Sequence, residues 1–190
     1  MNKDILLCGV GGQGIVLASR IIAAAAMHAG EKVYSAETIG MAQKGGSVTS
    51  HVRIGESFSP LLPLKSADIM MAFEPAEAVR NIDYIKKDGI VIVNKVPIMP
   101  VSASLSVNDY DGNEMINFLK KNFDCIVVDA KVFMSEKFLN IGMLGVAVGT
   151  GKLGFDKELI LNEIKCRVPK NYLDVNLEVF ESGYSLGGRM

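Results

Sequence analysis

Ile5-Leu6-Leu7-Cys8, then Gly9-Val10-Gly11-Gly12-Gln13-Gly14, then Ile15 to Ala29, is the stretch that decides the fold. It reads as a strand, a glycine turn and a buried helix, in that order. Glycines let the backbone turn tightly and approach an anion closely. The helix N-terminus that follows offers unpaired N–H groups and a partial positive charge. In this context the fingerprint predicts a phosphate-cradling module, with Gly9, Gly11, Gly12, Gln13 and Gly14 as candidate cofactor-binding residues. A tight strand–helix turn with no ligand is the plain alternative.

Working outward, Ala23 to Ala26 lets the first helix approach a sheet closely, and Gly30 is a natural stop. Lys32 to Ala36 reads as a second strand. Ser47 to Ile54 alternates polar and β-branched residues, and with Gly55-Glu56 and the short run to Pro60 it predicts a hairpin. Ile69 to Phe73 is a continuous apolar run, as expected of a strand covered on both faces. Pro75 suits the first turn of a helix, with Glu74 and Glu77 at its start, Lys86-Lys87 at its end and Gly89 as its stop. Ile90 to Val93 and Ile126 to Val128 are further strands. Asp111 with Glu114 resembles a capping box for a helix through Lys121. Residues 140–148, 156–166 and 172–183 read as helices. The expectation is a single α/β domain over residues 1–190: a Rossmann-like, mostly parallel sheet flanked by helices, with a β-hairpin insertion and a helical C-terminal third.

Other residues suggest chemistry. Glu37 follows the second strand, about where dinucleotide-binding domains hold a ribose hydroxyl; a solvated glutamate is the alternative. The loop Gly40-Met41-Ala42-Gln43-Lys44-Gly45-Gly46-Ser47 can bring N–H groups, an amide and an ammonium to an anion or to a partner's backbone, or can be a flexible connection. Met41, Gln43, Lys44, Gly45, Gly46 and Ser47 are therefore candidate partner or ligand contacts. His51 and Arg53 share one face of the hairpin strand and join them, as residues that bind a carboxylate, face another subunit or simply meet solvent. His28 suits a cap on the first helix, and Met70-Met71 suit the core. No catalytic residue is assigned; there is no Gly-x-Ser-x-Gly elbow.

Composition narrows the classes. The chain has 190 residues, 49% of them hydrophobic and 22% charged, which predicts a globular domain. Twenty basic against 21 acidic residues give a net charge of -1, and no basic cluster supports nucleic-acid binding. Cys8, Cys125 and Cys166 are widely spaced, and the two histidines are far apart, so no metal site is expected. The longest apolar segment is too short to span a bilayer, and Asp4 with the glycine loop argues against a signal peptide. A cytoplasmic protein is expected.

Taken together, several motifs resemble a known family. Gly9-Val10-Gly11-Gly12-Gln13-Gly14, Glu37-Thr38-Ile39-Gly40-Met41-Ala42-Gln43, Gly45-Gly46-Ser47 with Ser50-His51-Val52-Arg53, Ala67-Asp68, Ala72-Phe73-Glu74-Pro75-Ala76-Glu77-Ala78, Val91-Ile92-Val93-Asn94 and Pro97-Ile98-Met99-Pro100 carry the likeness. The chain resembles the gamma-type small subunits of 2-oxoacid:ferredoxin oxidoreductases, and within them the beta subunits of the indolepyruvate type. The resemblance covers nearly the whole length. Lys44 departs from the family's arginine, and the segment 137–145 keeps only Asn140 and the glycine-rich helix after it.

The resemblance implies oxidative decarboxylation of an aryl 2-oxoacid to an acyl-CoA with reduction of ferredoxin. Pyruvate, 2-oxoglutarate or branched-chain 2-oxoacids are the alternative substrates. Thiamine diphosphate and iron–sulfur clusters would sit in a large catalytic partner subunit, ferredoxin would be met through the complex, and this chain would be inactive alone with a CoA contact at most. An independent NAD- or flavin-binding oxidoreductase domain and a purely architectural subunit are the competing readings.

Overall fold

The computed structural model describes residues 1–39, 45–99 and 110–189. Six strands form one sheet: β1 (Lys3–Val10), β2 (Val33–Ile39), β3 (Ser47–Ile54), β4 (Ala67–Ala72), β5 (Ile85–Asn94) and β6 (Asp124–Val128). Their order across the sheet is β2-β3-β1-β4-β5-β6. β1, β4, β5 and β6 are parallel neighbours. β3 runs antiparallel to both β1 and β2, so it alone is reversed and the sheet is mostly parallel, as the sequence predicts.

The apolar runs explain the central strands. Ile5, Leu6, Leu7 and Cys8 of β1, and Ile69, Met70, Met71 and Ala72 of β4, are all at most 1% exposed, because helices or loops cover both faces. On one face lie α1 (Ile15–His28), α4 (Leu139–Gly149), α5 (Lys157–Arg167) and α6 (Leu173–Gly187), over a core built from Ile5, Leu7, Ile69, Met71 and Ile92. On the other lie α2 (Pro75–Arg80) and α3 (Asn113–Asn122), over Leu6, Cys8, Met70, Val91 and Val93. Alternate side chains of one strand thus feed opposite cores.

Every residue of α4 from Leu139 to Val148 is buried. It packs backbone to backbone on α6: a Cβ added at Gly145 would run into the Phe180 carbonyl, and one at Gly183 into the Gly142 carbonyl. α1 is buried on one broad side only, with Arg20, Met27 and His28 exposed, rather than all round. His28 Nδ1 lies 2.5 Å from Glu163 of α5.

Four local expectations are corrected. The hairpin is β2–β3, not β3 with the run to Pro60: Val33 pairs with Ile54 and Ile39 with Val48, and residues 55–66 form no strand. The second strand is Val33–Ile39 and so runs on past the Ala36 end that the sequence predicts. α2 ends at Arg80, so Lys86, Lys87 and Gly89 belong to β5, where Lys86 bridges to Asp68 of the neighbouring strand at 2.5 Å. Asp111 and Glu114 do not form a capping box: Gly112 occupies the cap in a left-handed conformation, and Asp111 accepts from the Asn113 N–H.

Candidate functional site

Two neighbouring parallel strands, β1 and β4, send their chains to opposite faces of the sheet, β1 into α1 and β4 into α2. Such a divergence opens a crevice at the C-terminal ends of the strands, where open α/β sheets take ligands. The loop Gly9–Gly14 forms one wall. Gln13 braces it: its Oε1 accepts from the Val10 N–H at 2.7 Å and its Nε2 donates to the Phe73 carbonyl at 2.8 Å. Asn94, 2% exposed at the end of β5, donates to the same Phe73 carbonyl and to Val96 O, and accepts from the Val96 and Ala130 N–H groups. Gln13, placed among the ligand residues by its sequence, thus has both ends of its amide committed to the protein.

The backbone donors of the glycine loop divide into two sets. The Gly11 N–H is spent on Gly46 O at 2.8 Å and the Gln13 N–H on Val10 O at 3.2 Å. The Gly12 and Gly14 N–H groups meet no acceptor among the described residues. Gly12 has φ +104, and a Cβ there would find nothing within 4 Å, so it faces open space. Gly14, φ +77, is the cap residue of α1, and the Asn140 side chain fills the space beside it. Gly9 is a packing glycine: a Cβ would come within 3 Å of Gln13, Ile15 and Phe73. Gly11, Gly12 and Gln13 line a cleft of about 370 Å³ together with Asn94, Pro97 and Lys137.

The structure brings the two glycine regions together. Gly45 and Gly46 clasp Gly11 by backbone, and Ser47 pairs with Val10 while its hydroxyl donates to Glu77 at 2.5 Å. Met41, Gln43 and Lys44 lie outside the described residues.

Other candidates separate from this crevice. Glu37 lies within β2, not after it, and pairs across to Ser50, which pairs with Leu7. With β3 intervening, Glu37 is two strand spacings from β1, roughly 10 Å, and its carboxylate faces Arg20 at 3.4 Å. A ribose held at the glycine loop is out of its reach. His51 is 3% exposed; its Nδ1 accepts from the Leu62 N–H at 3.2 Å and its ring meets Tyr84 edge to face. Burial holds its pKa below the ordinary 6.5. Arg53 is paired with Asp4 at 2.8 Å and reaches the carbonyls of Ser59 and Leu61. Both side chains point inward to hold the segment 57–62, and the carboxylate that Arg53 meets is the chain's own Asp4.

Sequence reasoning missed Glu74 and Glu77 as site residues, treating them as dipole partners. Glu74, 1% exposed, caps α2 through the Glu77 N–H and accepts from the Tyr110 hydroxyl at 2.5 Å. Burial, then that hydrogen bond, pushes the Tyr110 pKa up. Burial and the two glutamates likewise push the Cys8 thiol up, which leaves it a core residue rather than a nucleophile. Cys125 is pushed up to about 11 by burial. The three cysteines sit on β1, β6 and α5, a spread that does not suit a cluster. Among the described residues no group of three or more His, Cys, Asp or Glu could hold a metal ion, and no helix is long and apolar enough to cross a membrane.

Comparison with known proteins gives this geometry a context. Residues 4–186 match the pyruvate ferredoxin/flavodoxin oxidoreductase family. The chain is 38% identical to the indolepyruvate oxidoreductase subunit IorB of Archaeoglobus fulgidus, over 97% of this chain and 95% of that one. It is 27% identical to the 2-oxoglutarate synthase subunit KorC of Methanocaldococcus jannaschii, over 98% and 94%. Among solved structures, the pyruvate oxidoreductase subunit PORC of Thermotoga maritima superposes with a TM-score of 0.71 at 25% identity, covering 97% and 96% of the two chains. A 2-oxoglutarate:ferredoxin oxidoreductase chain of Magnetococcus marinus, solved with 2-oxoglutarate, coenzyme A and succinyl-CoA, superposes with a TM-score of 0.76 at 22% identity; all of this chain matches 31% of that one. The chain belongs to the pyruvate ferredoxin/flavodoxin oxidoreductase family, as a small, gamma-type subunit of a 2-oxoacid:ferredoxin oxidoreductase.

Proposed function

We propose that this subunit serves an indolepyruvate-type oxidoreductase, which decarboxylates aryl 2-oxoacids oxidatively to acyl-CoA and reduces ferredoxin. The observation that carries the substrate class is the end-to-end identity to IorB, 38% against 27% for KorC. In this reading a large catalytic subunit holds thiamine diphosphate and the iron–sulfur clusters. The present chain supplies the wall of the site at the C-terminal edge of its sheet, where Gly12 opens onto the cleft and can meet a phosphate of CoA. The complex works in the cytoplasm.

A surface for the large subunit is available on the segment that His51 and Arg53 hold. Phe58 is fully exposed, and Leu61 and Leu64 are 54% and 64% exposed. The segment is nonetheless fixed: Leu62 is buried beneath it, and the Lys65 N–H donates to Asp83 O at 2.8 Å. Large apolar side chains displayed on a rigid support are what a permanent subunit interface uses. Gly45 to Ser47 adjoin the cleft and remain candidate contacts, with Met41, Gln43 and Lys44 proposed alongside them. Co-purification from the native host, followed by turnover assays on a panel of 2-oxoacids, tests the proposal. Preference for indolepyruvate over 2-oxoglutarate and pyruvate is expected; the reverse preference rejects the substrate class.

A further inference from the structure

We propose that the outer edge of β2 pairs with β2 of a second copy of this chain, so that two sheets join antiparallel across a two-fold axis. β2 ends the sheet: among the described residues its one strand partner is β3. The ladder shows which of its main-chain groups are spent. Lys32 O accepts from the Gly55 N–H at 2.8 Å, which makes Lys32 and Gly55 a hydrogen-bonded pair. In an antiparallel ladder such pairs alternate with pairs that exchange no bond. Tyr34, Ala36 and Thr38 therefore bond to Arg53, His51 and Thr49 of β3, whereas Val33, Ser35, Glu37 and Ile39 turn their N–H and C=O groups outward. The bond from the Gly11 N–H to Gly46 O sets the complementary phase on the other side of β3, where Val48, Ser50 and Val52 bond to β1.

Sheets guard their edges with short strands, proline, lysine or bulges. β6, at the opposite edge, is five residues long and opens on the acid Asp124. β2 is seven residues long, Val33-Tyr34-Ser35-Ala36-Glu37-Thr38-Ile39, with no proline and no lysine. Its register against β3 runs without a bulge. Valine, tyrosine, threonine and isoleucine are strand formers. A regular, unguarded edge of this kind is a template for one more strand.

The residues of β2 select a second copy as that strand. Two-fold pairing must set outward residues opposite outward residues. The register centred on Glu37 puts that carboxylate against its own copy, and like charges directly opposite are unfavourable. The register centred on Ser35 sets Glu37 against the apolar Val33. The register centred on Ala36 pairs the strand over its whole length. Ser35 then faces Glu37 of the second copy on both sides of the axis, a hydroxyl donor against a carboxylate acceptor. Tyr34 faces Thr38, and Ala36, the smallest side chain of the strand, sits on the axis. Glu37 is the only charged residue of β2, and Arg20 of α1 already lies against it at 3.4 Å. No charge therefore meets its like across this edge, and the strand is complementary to itself, as a two-fold contact requires.

The test uses the full chain in analytical ultracentrifugation, and the parent is expected to sediment as a dimer at micromolar concentration. Ser35 is exposed, so its side chain can be changed without disturbing the core. Ser35→Glu sets acid against acid at both ends of the contact and is expected to raise the dimer dissociation constant about tenfold, and less at high salt. Ser35→Lys is expected to lower it. Ala36→Cys fixes the register. Ala36 faces its copy as a non-hydrogen-bonded pair, the closer kind, within reach of a disulfide. In a Cys166→Ser background, which removes the exposed native thiol, Ala36→Cys is expected to cross-link to its own copy, in the isolated chain and in the recombined complex. A monomeric parent, or a dimer that Ala36→Cys does not cross-link, overturns the pairing. Equal dissociation constants for Ser35→Glu and Ser35→Lys overturn it as well. A disulfide from Ala36→Cys to the large subunit gives the edge to that subunit and overturns the second copy as its occupant. None of these readouts involves turnover, so their failure leaves the proposed function standing.

Discussion

Gln13 and Asn94 donate to the same acceptor, the Phe73 carbonyl, at 2.8 and 3.1 Å. One side chain belongs to the glycine loop after β1 and the other to the end of β5. They meet on the residue that follows β4, so the C-terminal crest of three parallel strands is stapled at one atom. Asn94 also satisfies the buried Val96 and Ala130 N–H groups. Asn94→Ala should therefore cost about 3 kcal/mol, since it strands buried donors, and Gln13→Ala about 1–2 kcal/mol. Because the two share an acceptor, the double variant should depart from the sum of the single effects. Urea denaturation measures all three. An Asn94→Ala variant within about 0.5 kcal/mol of the parent would contradict the staple.

The glycine loop should separate packing from ligand contact. Gly9→Ala forces a Cβ against Ile15, Gln13 and Phe73; overpacking of this kind costs about 1–3 kcal/mol. Gly12→Ala meets no neighbour, so its cost is that of the left-handed backbone, about 1–2 kcal/mol. Its Cβ projects into the open cleft. In the assembled enzyme Gly12→Ala should raise the apparent KM for CoA more than that for the 2-oxoacid, the pattern of lost ground-state binding. Steady-state kinetics at varied CoA decide it; an unchanged CoA dependence assigns the loop a purely architectural role.

His51 should give the fold a pH dependence. Its Nδ1 accepts from the Leu62 N–H, which requires the neutral ring, and burial depresses its pKa below 6.5. The unfolded chain then binds a proton more readily than the folded one. Stability is fully present above about pH 6.5 and is lost as the pH falls from there through the folded value, after which the loss levels off. His51→Gln keeps an acceptor but cannot titrate. The difference in urea midpoint between parent and variant should change between pH 7.5 and 5, and a constant difference would show that His51 does not titrate with folding.

Phe58 should matter to assembly and not to folding. It is fully exposed, so Phe58→Ser is expected to leave the melting temperature unchanged and to weaken binding of the catalytic subunit at least tenfold, as loss of an aromatic anchor does. Arg53→Ala should do both kinds of damage, because Arg53 holds the carbonyls of Ser59 and Leu61 and pairs with Asp4. Unaltered affinity in Phe58→Ser places the interface elsewhere.

Much of the fold is legible in local sequence. The apolar runs of β1 and β4, the glycine turn, Pro75 at the start of α2 and the three C-terminal helices follow from periodicity and from residues with fixed backbone preferences. What is not legible is adjacency. Alternation in Ser47–Ile54 identifies a strand but not its neighbours, and the insertion of β3 between β1 and β2 is what carries Glu37 away from the glycine loop. Lys86-Lys87 imitates a helix C-terminus because a cross-strand partner, Asp68, is invisible at that range. The inward turn of His51 and Arg53 depends on Leu62, Tyr84 and Asp4, none of them nearby in sequence. Asn94 reveals its role only where tertiary contacts place its amide.

Turnover with and without the catalytic subunit tests the partnership most directly. The purified chain, its co-purifying large subunit and the recombined pair are assayed for indolepyruvate- and CoA-dependent reduction of ferredoxin. The expected result is activity in the recombined pair, none in this chain alone, and thiamine diphosphate and iron bound in the large subunit. Indolepyruvate-dependent reduction by this chain alone, or full activity of the large subunit without it, would contradict the account.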